Sequence, residues 1–163
     1  MRTGEIMKQI ELNSMTLEEL RNYMKSIGEK PYRGEQLFTY FNRNQNLDIK
    51  NLQQLPIILR EKFSNDSWVN EVKVLQAFKS NKDSTIKYLN LLEDNNIIES
   101  VFMEYRHGNS ACISTQVGCK MGCAFCASTK DGFLRNLTPA EMLNQIYLME
   151  KDTNKTISNV VLM

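Results

Sequence analysis

Residues 111–126 read ACISTQVGCKMGCAFC, and residues 138–163 read TPAEMLNQIYLMEKDTNKTISNVVLM. Together these two stretches decide the fold. Ala111 to Ser114 reads as a strand that runs directly into a loop rich in glycine and cysteine. Thr138 then caps a helix, Pro139 suits its first turn, and Glu141 completes a capping box. Met142, Ile146 and Met149 recur on one side of that helix. Ile157 to Met163 reads as a buried strand. Strand, loop, helix, strand is one βαβ unit, the seed of a parallel sheet. A lone unit cannot cover both faces of its strands, so the chain reads as the front part of a longer protein.

Working outward, Val72–Val74, Thr85–Leu89 and Ile97–Phe102 are short segments rich in β-formers. The polar turns Ser80-Asn81-Lys82-Asp83 and Glu93-Asp94-Asn95-Asn96 separate them, which predicts antiparallel hairpins. The first sixty-five residues read instead as helices. Thr16-Leu17-Glu18-Glu19 is a capping box, Leu17, Leu20, Tyr23, Met24 and Ile27 follow at helical spacing, and Gly28 is a natural stop. A second helix fits Arg33 to Asn44, and a third Pro56 to Phe63. Leu37, Phe38, Tyr40 and Phe41 read as core packing. The expected fold class is α/β. An N-terminal helical module covers residues 1–66, a β-hairpin connecting segment 67–108, and the start of a (β/α) barrel 109–163.

The 163 residues are 42% hydrophobic and 24% charged, with a net charge of +1, as in soluble globular proteins. The sequence has no run of eighteen apolar residues, and its N-terminus shows no apolar signal core, so neither a membrane nor a secretory reading is supported and the cytoplasm is expected. Lys25, Lys30, Arg33 and Arg43 gather locally, but Glu29 and Glu35 dilute them, so the group reads as a solvated helix face or an RNA contact.

All four cysteines lie between positions 112 and 126. Such crowding points to a metal or redox site and away from a disulfide scaffold. The spacing Cys119, Cys123, Cys126 is three intervening residues and then two. Zinc sites usually pair C-x-x-C units with a distant second pair, and the sequence holds one histidine, His107, placed in a surface turn. Three thiolates on a 4Fe–4S cluster leave one iron without a protein ligand. S-adenosylmethionine could hold that iron through its amino and carboxylate groups, next to the sulfonium to be cleaved. Gly118 and Gly122 would let the loop fold tightly around a bulky cluster. Phe125 is a candidate wall for the cofactor's adenine or packing beneath the cluster. The competing reading is a zinc site of four thiolates, Cys112, Cys119, Cys123 and Cys126.

The string from Ala111 through Cys119, Cys123 and Cys126 to Glu141 resembles the RlmN/Cfr family, radical S-adenosylmethionine enzymes that methylate adenine carbons in RNA. The resemblance extends to Lys30-Pro-Tyr-Arg-Gly-Glu-Gln36, to Leu55-Pro56 with Leu59-Arg60-Glu61, and to Ile98-Glu99-Ser-Val-Phe102. It implies a partial radical S-adenosylmethionine barrel after a helical module that helps hold structured RNA. By position, Cys119, Cys123 and Cys126 match the cluster ligands. Cys112 matches a redox cysteine that resolves a covalent protein–RNA link through a disulfide, and Glu99 matches the proposed proton acceptor. The implied partners are 23S rRNA, tRNA and a low-potential electron donor such as flavodoxin, with no membrane.

Within the family, Cys126-Ala-Ser-Thr-Lys-Asp-Gly-Phe-Leu-Arg135 looks more like the members that methylate adenine C2, both in 23S rRNA and next to the tRNA anticodon. The alternatives are a Cfr-type C8 methyltransferase and a zinc-stabilised RNA-binding module without catalysis. The family's methyl-carrying cysteine has no counterpart after Cys126, and its Gly-Glu-Pro segment is expected just after Ile157–Met163. The resemblance therefore covers the family's N-terminal half, and this stretch by itself is expected to hold a cluster weakly and not to turn over. Ser84 stands where the family usually has glycine, a change expected to alter only a hairpin turn.

Overall fold

A computed structural model describes residues 10–129 and 132–163, the Asp66 side chain apart. The chain divides into two units, one ending at Asn70 and one spanning Glu71–Met163.

The first unit is helical, with α1 (Leu17–Ser26), α2 (Tyr32–Asn42) and α3 (Ile57–Asp66). The Thr16 capping box forms: Glu19 N–H donates to the Thr16 hydroxyl, and Thr16 N–H donates to the Glu19 carboxylate at 2.8 Å. Those hydrogen bonds hold the Glu19 carboxyl below its ordinary value. Leu20 and Met24 of α1, Leu37 and Phe41 of α2, and Leu59 and Phe63 of α3 share one buried core. The aromatic residues are thus largely spent on packing, as expected from their spacing. Gly34 lets α2 approach α1, because a Cβ there would stand 2.7 Å from the Arg21 backbone nitrogen. The short strands β1 (Ile10–Glu11) and β2 (Ser67–Trp68) pair in parallel and bring the unit's two ends together. Asn13 locks that closure, donating to the Asn70 carbonyl at 2.8 Å and accepting from the Asn70 amide at 3.0 Å.

The second unit is a five-stranded sheet in the order β3-β4-β5-β6-β9. Its strands are β3 (Lys73–Lys79), β4 (Ile86–Leu91), β5 (Ile97–Tyr105), β6 (Gly108–Ile113) and β9 (Ile157–Leu162). The first four pair antiparallel as hairpins, and β9 joins β6 in parallel after the helix α4 (Pro139–Thr153). The predicted hairpins and the βαβ unit are both present. Tyr88, Phe102, Ala111 and Ile113 turn one sheet face toward Met149, Ile146 and Met142 of α4. At the far end of α4 the buried Tyr88 hydroxyl donates to Asp152 at 2.7 Å, and burial pushes that phenol well above its ordinary value.

Two strand expectations need correction. The first was expected over Val72–Val74 and instead occupies Lys73–Lys79. Every residue of β3 is exposed, so it carries no apolar alternation for a pattern to detect. Ile157–Met163 was expected to be buried, yet Val160, Val161, Leu162 and Met163 are exposed. In this sheet β9 pairs only with β6 and stands at the edge, where Ile157 alone of its residues packs against the cluster that α4 covers.

Candidate functional site

Two features meet at the C-terminal end of β6. The first is a side-chain row on the sheet face away from α4. Cross-strand register places Phe78, Lys87, Val101, Cys112 and Val161 opposite one another in turn across the five strands. Side chains alternate along a strand, so Glu99 shares that face with Val101. Glu99 and Cys112 are therefore diagonal neighbours, on the order of 7 Å apart. Lys87 Nζ donates to Glu99 Oε1 at 3.1 Å and lies 5.5 Å from the centre of the Phe78 ring. Both partners of this ion pair are about half exposed, so it orients the carboxylate more than it stabilises the fold.

Cys112 is partly buried, and burial pushes its thiol above the ordinary value. Its reactivity should follow. In a chain with the other three cysteines changed to serine, iodoacetamide alkylation of Cys112 is expected to reach half its limiting rate above the ordinary thiol pKa of about 8.5. Unfolding in urea should return it to that value. A folded-state midpoint at or below the ordinary one would show that burial does not control this thiol.

The second feature is the cysteine loop. After β6 the chain forms β7 (Gln116–Gly118), which pairs antiparallel with β8 (Phe133–Asn136), and the loop between them carries all three remaining cysteines. This ladder escaped the sequence reading because its strands are only three and four residues long. Gly118 has φ +72°, and a Cβ there would run into the Gly132 carbonyl across the ladder. Cys119 N–H donates to that same carbonyl at 3.2 Å. Further along, Cys126 N–H donates to the Cys123 carbonyl at 3.1 Å, and the Thr129 hydroxyl reaches both the Cys123 and Cys126 carbonyls at 3.0 and 2.9 Å. The loop backbone is thus tied at its base and at the turn bearing two of the cysteines.

All four cysteines are free thiols. Among the described residues no three His, Cys, Asp or Glu side chains converge as a ready-made metal site. Binding a metal would draw the loop's three thiols together. Phe125 is 94% exposed and Met121 78% exposed, so neither is packed away among the described residues. The donor set fits a cluster with one open iron: three thiols share one tied loop, while the fourth, Cys112, sits on a strand of the sheet. His107 lies in the β5–β6 turn, stacked on Tyr105 at 5.2 Å, and is not part of the loop.

Both arms of the loop are anchored to the start of α4. On the returning arm, Arg135 forms a two-pronged pair with Glu141, each contact 2.8 Å, and reaches Asp94 with Nε at 2.8 Å. Glu141 is buried, and its carboxylate also accepts from Thr138 N–H in the α4 capping box. The hydrogen bonds that Arg135 donates to Glu141, outweighing desolvation, push its guanidinium above the ordinary value. On the outgoing arm, Gln145 accepts from Ser114 N–H at 2.9 Å and donates to the Ser114 carbonyl at 3.0 Å. Arg135, Gln145 and Lys87 were not singled out in the sequence. One signal was available: Gln145 is a polar residue on the apolar side of α4, at helical spacing from Met142 and Met149.

Residues 10–69 match the family described as the ribosomal RNA large subunit methyltransferase N-terminal domain. A protein of Alkaliphilus oremlandii named as a probable dual-specificity RNA methyltransferase RlmN is 47% identical over 160 residues, which is 96% of this chain and 46% of that protein. A protein of the same name in Clostridioides difficile is 44% identical over 156 residues, or 96% of this chain and 45% of that protein. Among solved structures, a radical SAM methyltransferase from Sphaerobacter thermophilus superposes with a TM-score of 0.81 at 30% identity, covering 93% of this chain and 45% of that one. The chain thus spans a little under half the length of the curated relatives it matches. No helix among the described residues is long and apolar enough to cross a membrane.

Proposed function

We propose that this chain, similar along nearly its whole length to proteins named as RlmN, serves a radical S-adenosylmethionine methyltransferase acting on RNA adenine. The observation that carries the proposal is the tied loop with three free thiols, leaving the end of β6 beside a face that holds Glu99 and Cys112 together.

In this reading Cys119, Cys123 and Cys126 hold a 4Fe–4S cluster. When bound, that cluster supplies the electron that cleaves S-adenosylmethionine and so opens a route to an unactivated aromatic carbon. Phe125, exposed among the described residues, offers its ring to the cofactor's adenine. Glu99 accepts the proton that the adenine carbon must lose once it is alkylated, with Lys87 orienting its carboxylate. Cys112 supplies the thiol that resolves the covalent protein–RNA link. Burial raises the pKa of that thiol above its ordinary value. The four cysteines are all assigned by these roles, so a methyl-carrying cysteine is not among the 163 residues.

The substrates proposed are adenine C2 of 23S rRNA and of the tRNA base next to the anticodon, with a flavodoxin-like protein as electron donor. An extruded base is the form in which such a carbon is reachable. Deleting the gene and analysing rRNA and tRNA nucleosides by mass spectrometry tests this. The expected result is loss of 2-methyladenosine from both RNAs. Loss of 8-methyladenosine, or an unchanged nucleoside profile, would overturn the assignment. Anaerobic reconstitution of the chain gives a second check, in which iron with sulfide supports the cluster and zinc alone opposes it.

A further inference from the structure

The two ends of the cysteine loop are governed by one surface of α4, and Gln145 is the residue there whose chemistry the packing does not explain. It is 0% exposed on the buried face of α4, where an unpaired carboxamide would be costly. Its carboxamide instead pairs with both the N–H and the carbonyl of Ser114, as a neighbouring strand would. Its Nε2 also donates to the Glu141 carbonyl at 3.1 Å, one turn earlier in the same helix. Ser114 is where the β6 ladder stops: its side chain donates to the Glu99 carbonyl at 2.6 Å, and Thr115 begins the path to the loop. Glu141, through Arg135, holds the arm by which the chain returns.

We propose that Gln145 is a positioning residue for the cysteine loop, fixing Ser114 so that the three thiols start from a defined point beside Glu99. The cofactor side of this inference rests on the cluster reading given above, while the loop-fixing side does not. A side chain that served only to fill space could be replaced by methionine, which has the same length and no hydrogen-bonding head. A positioning carboxamide could not.

The test compares the wild-type chain with Gln145→Met and Gln145→Glu. Amide hydrogen exchange is read at Ser114 and Cys119, with Phe102 and Ala111 as core references. Iron and sulfide uptake, and the electron paramagnetic resonance spectrum of the reduced cluster with and without S-adenosylmethionine, are read on the same three proteins. Gln145→Met is expected to speed Ser114 exchange by at least about tenfold with the core references unmoved. It should also lower iron uptake and alter the spectral response to S-adenosylmethionine. Gln145→Glu keeps the length and the acceptor for Ser114 N–H, but once ionised it opposes the Ser114 and Glu141 carbonyls that Gln145 Nε2 serves, and only the protonated acid restores that donor. Where Gln145→Met loosens the core references as well, Gln145→Glu decides: its protection at Ser114 should recover toward wild type as pH falls, and a pH-independent protection factor would overturn the proposal.

Wild-type exchange rates at Ser114 and Cys119 in Gln145→Met would overturn the proposal, as would wild-type iron content and spectra. If the wild-type chain takes up no iron, the cluster reading falls, and the exchange rates alone decide whether Gln145 fixes the loop.

Discussion

Replacing Cys123 with alanine is expected to abolish iron uptake while leaving the fold as it was. The side chain is only partly buried, and its backbone carries the local structure: the Cys123 carbonyl accepts from Cys126 N–H and from the Thr129 hydroxyl. Alanine keeps both hydrogen bonds, so stability should change by no more than about 0.5 kcal/mol. A cluster held by three thiolates has no spare ligand. Iron and sulfide content after anaerobic reconstitution should therefore fall from the amount the unsubstituted chain holds to background, with the circular dichroism spectrum unchanged. Cys119→Ala and Cys126→Ala should behave alike. Cys112→Ala should retain its iron, because Cys112 lies on β6 and outside the loop. That contrast separates a three-thiolate cluster from a four-thiolate zinc site, since the latter would lose its metal in all four variants. Retention of iron by Cys123→Ala would remove Cys123 from the ligand set.

Arg135→Met is expected to cause the largest loss of stability in the second unit. The pair it breaks is two-pronged, and its acid partner Glu141 is only 2% exposed. Methionine keeps most of the side-chain volume but leaves a buried carboxylate facing no cation. Removing one partner of a buried pair typically costs about 3 kcal/mol, and Arg135, being partly exposed, belongs near that lower end. That is a large share of the roughly 5–15 kcal/mol by which a domain is stable. Urea unfolding should show the midpoint moving down accordingly, and a shift equivalent to less than about 0.5 kcal/mol would contradict the burial argument.

The same substitution should change the acid limb. Burial alone would raise the Asp94 carboxyl, but hydrogen bonds from Asn96 and Arg135 outweigh it and hold the group below its ordinary value. A carboxyl depressed in the folded state adds stability above its unfolded pKa and loses it as pH falls through the folded one. Wild-type stability should therefore decline on acidification through the carboxylate range, and Arg135→Met should decline less steeply there.

Much of the fold could be read without coordinates because its signals are local. The capping boxes at Thr16 and Thr138 each use residues three apart, and both form as expected. The hairpins between Lys73 and Tyr105 follow from polar turns flanking β-rich segments. β3 was misplaced because burial, which creates the alternating pattern, is absent along an exposed edge strand. The buried strand expected at Ile157–Met163 rested on composition alone, and composition does not report which sides of a strand acquire neighbours.

The candidate site divides in the same way. The sequence by itself singled out the proposed ligand set, because Cys119, Cys123 and Cys126 lie within one short loop and their spacing points to that chemistry. It also named Cys112 and Glu99 through a resemblance, without placing them together. Only the tertiary structure decided that they share a sheet face, because that depends on the β5–β6 register, in which Val101 stands opposite Cys112. It likewise decided that Arg135, Glu141 and Gln145 hold the loop, because their partners lie 41, 6 and 31 residues away along the chain. Spacing within a turn or a loop is written in the order of residues. Contacts closed across strands and helices arise only when the hydrophobic core sets which residues face one another.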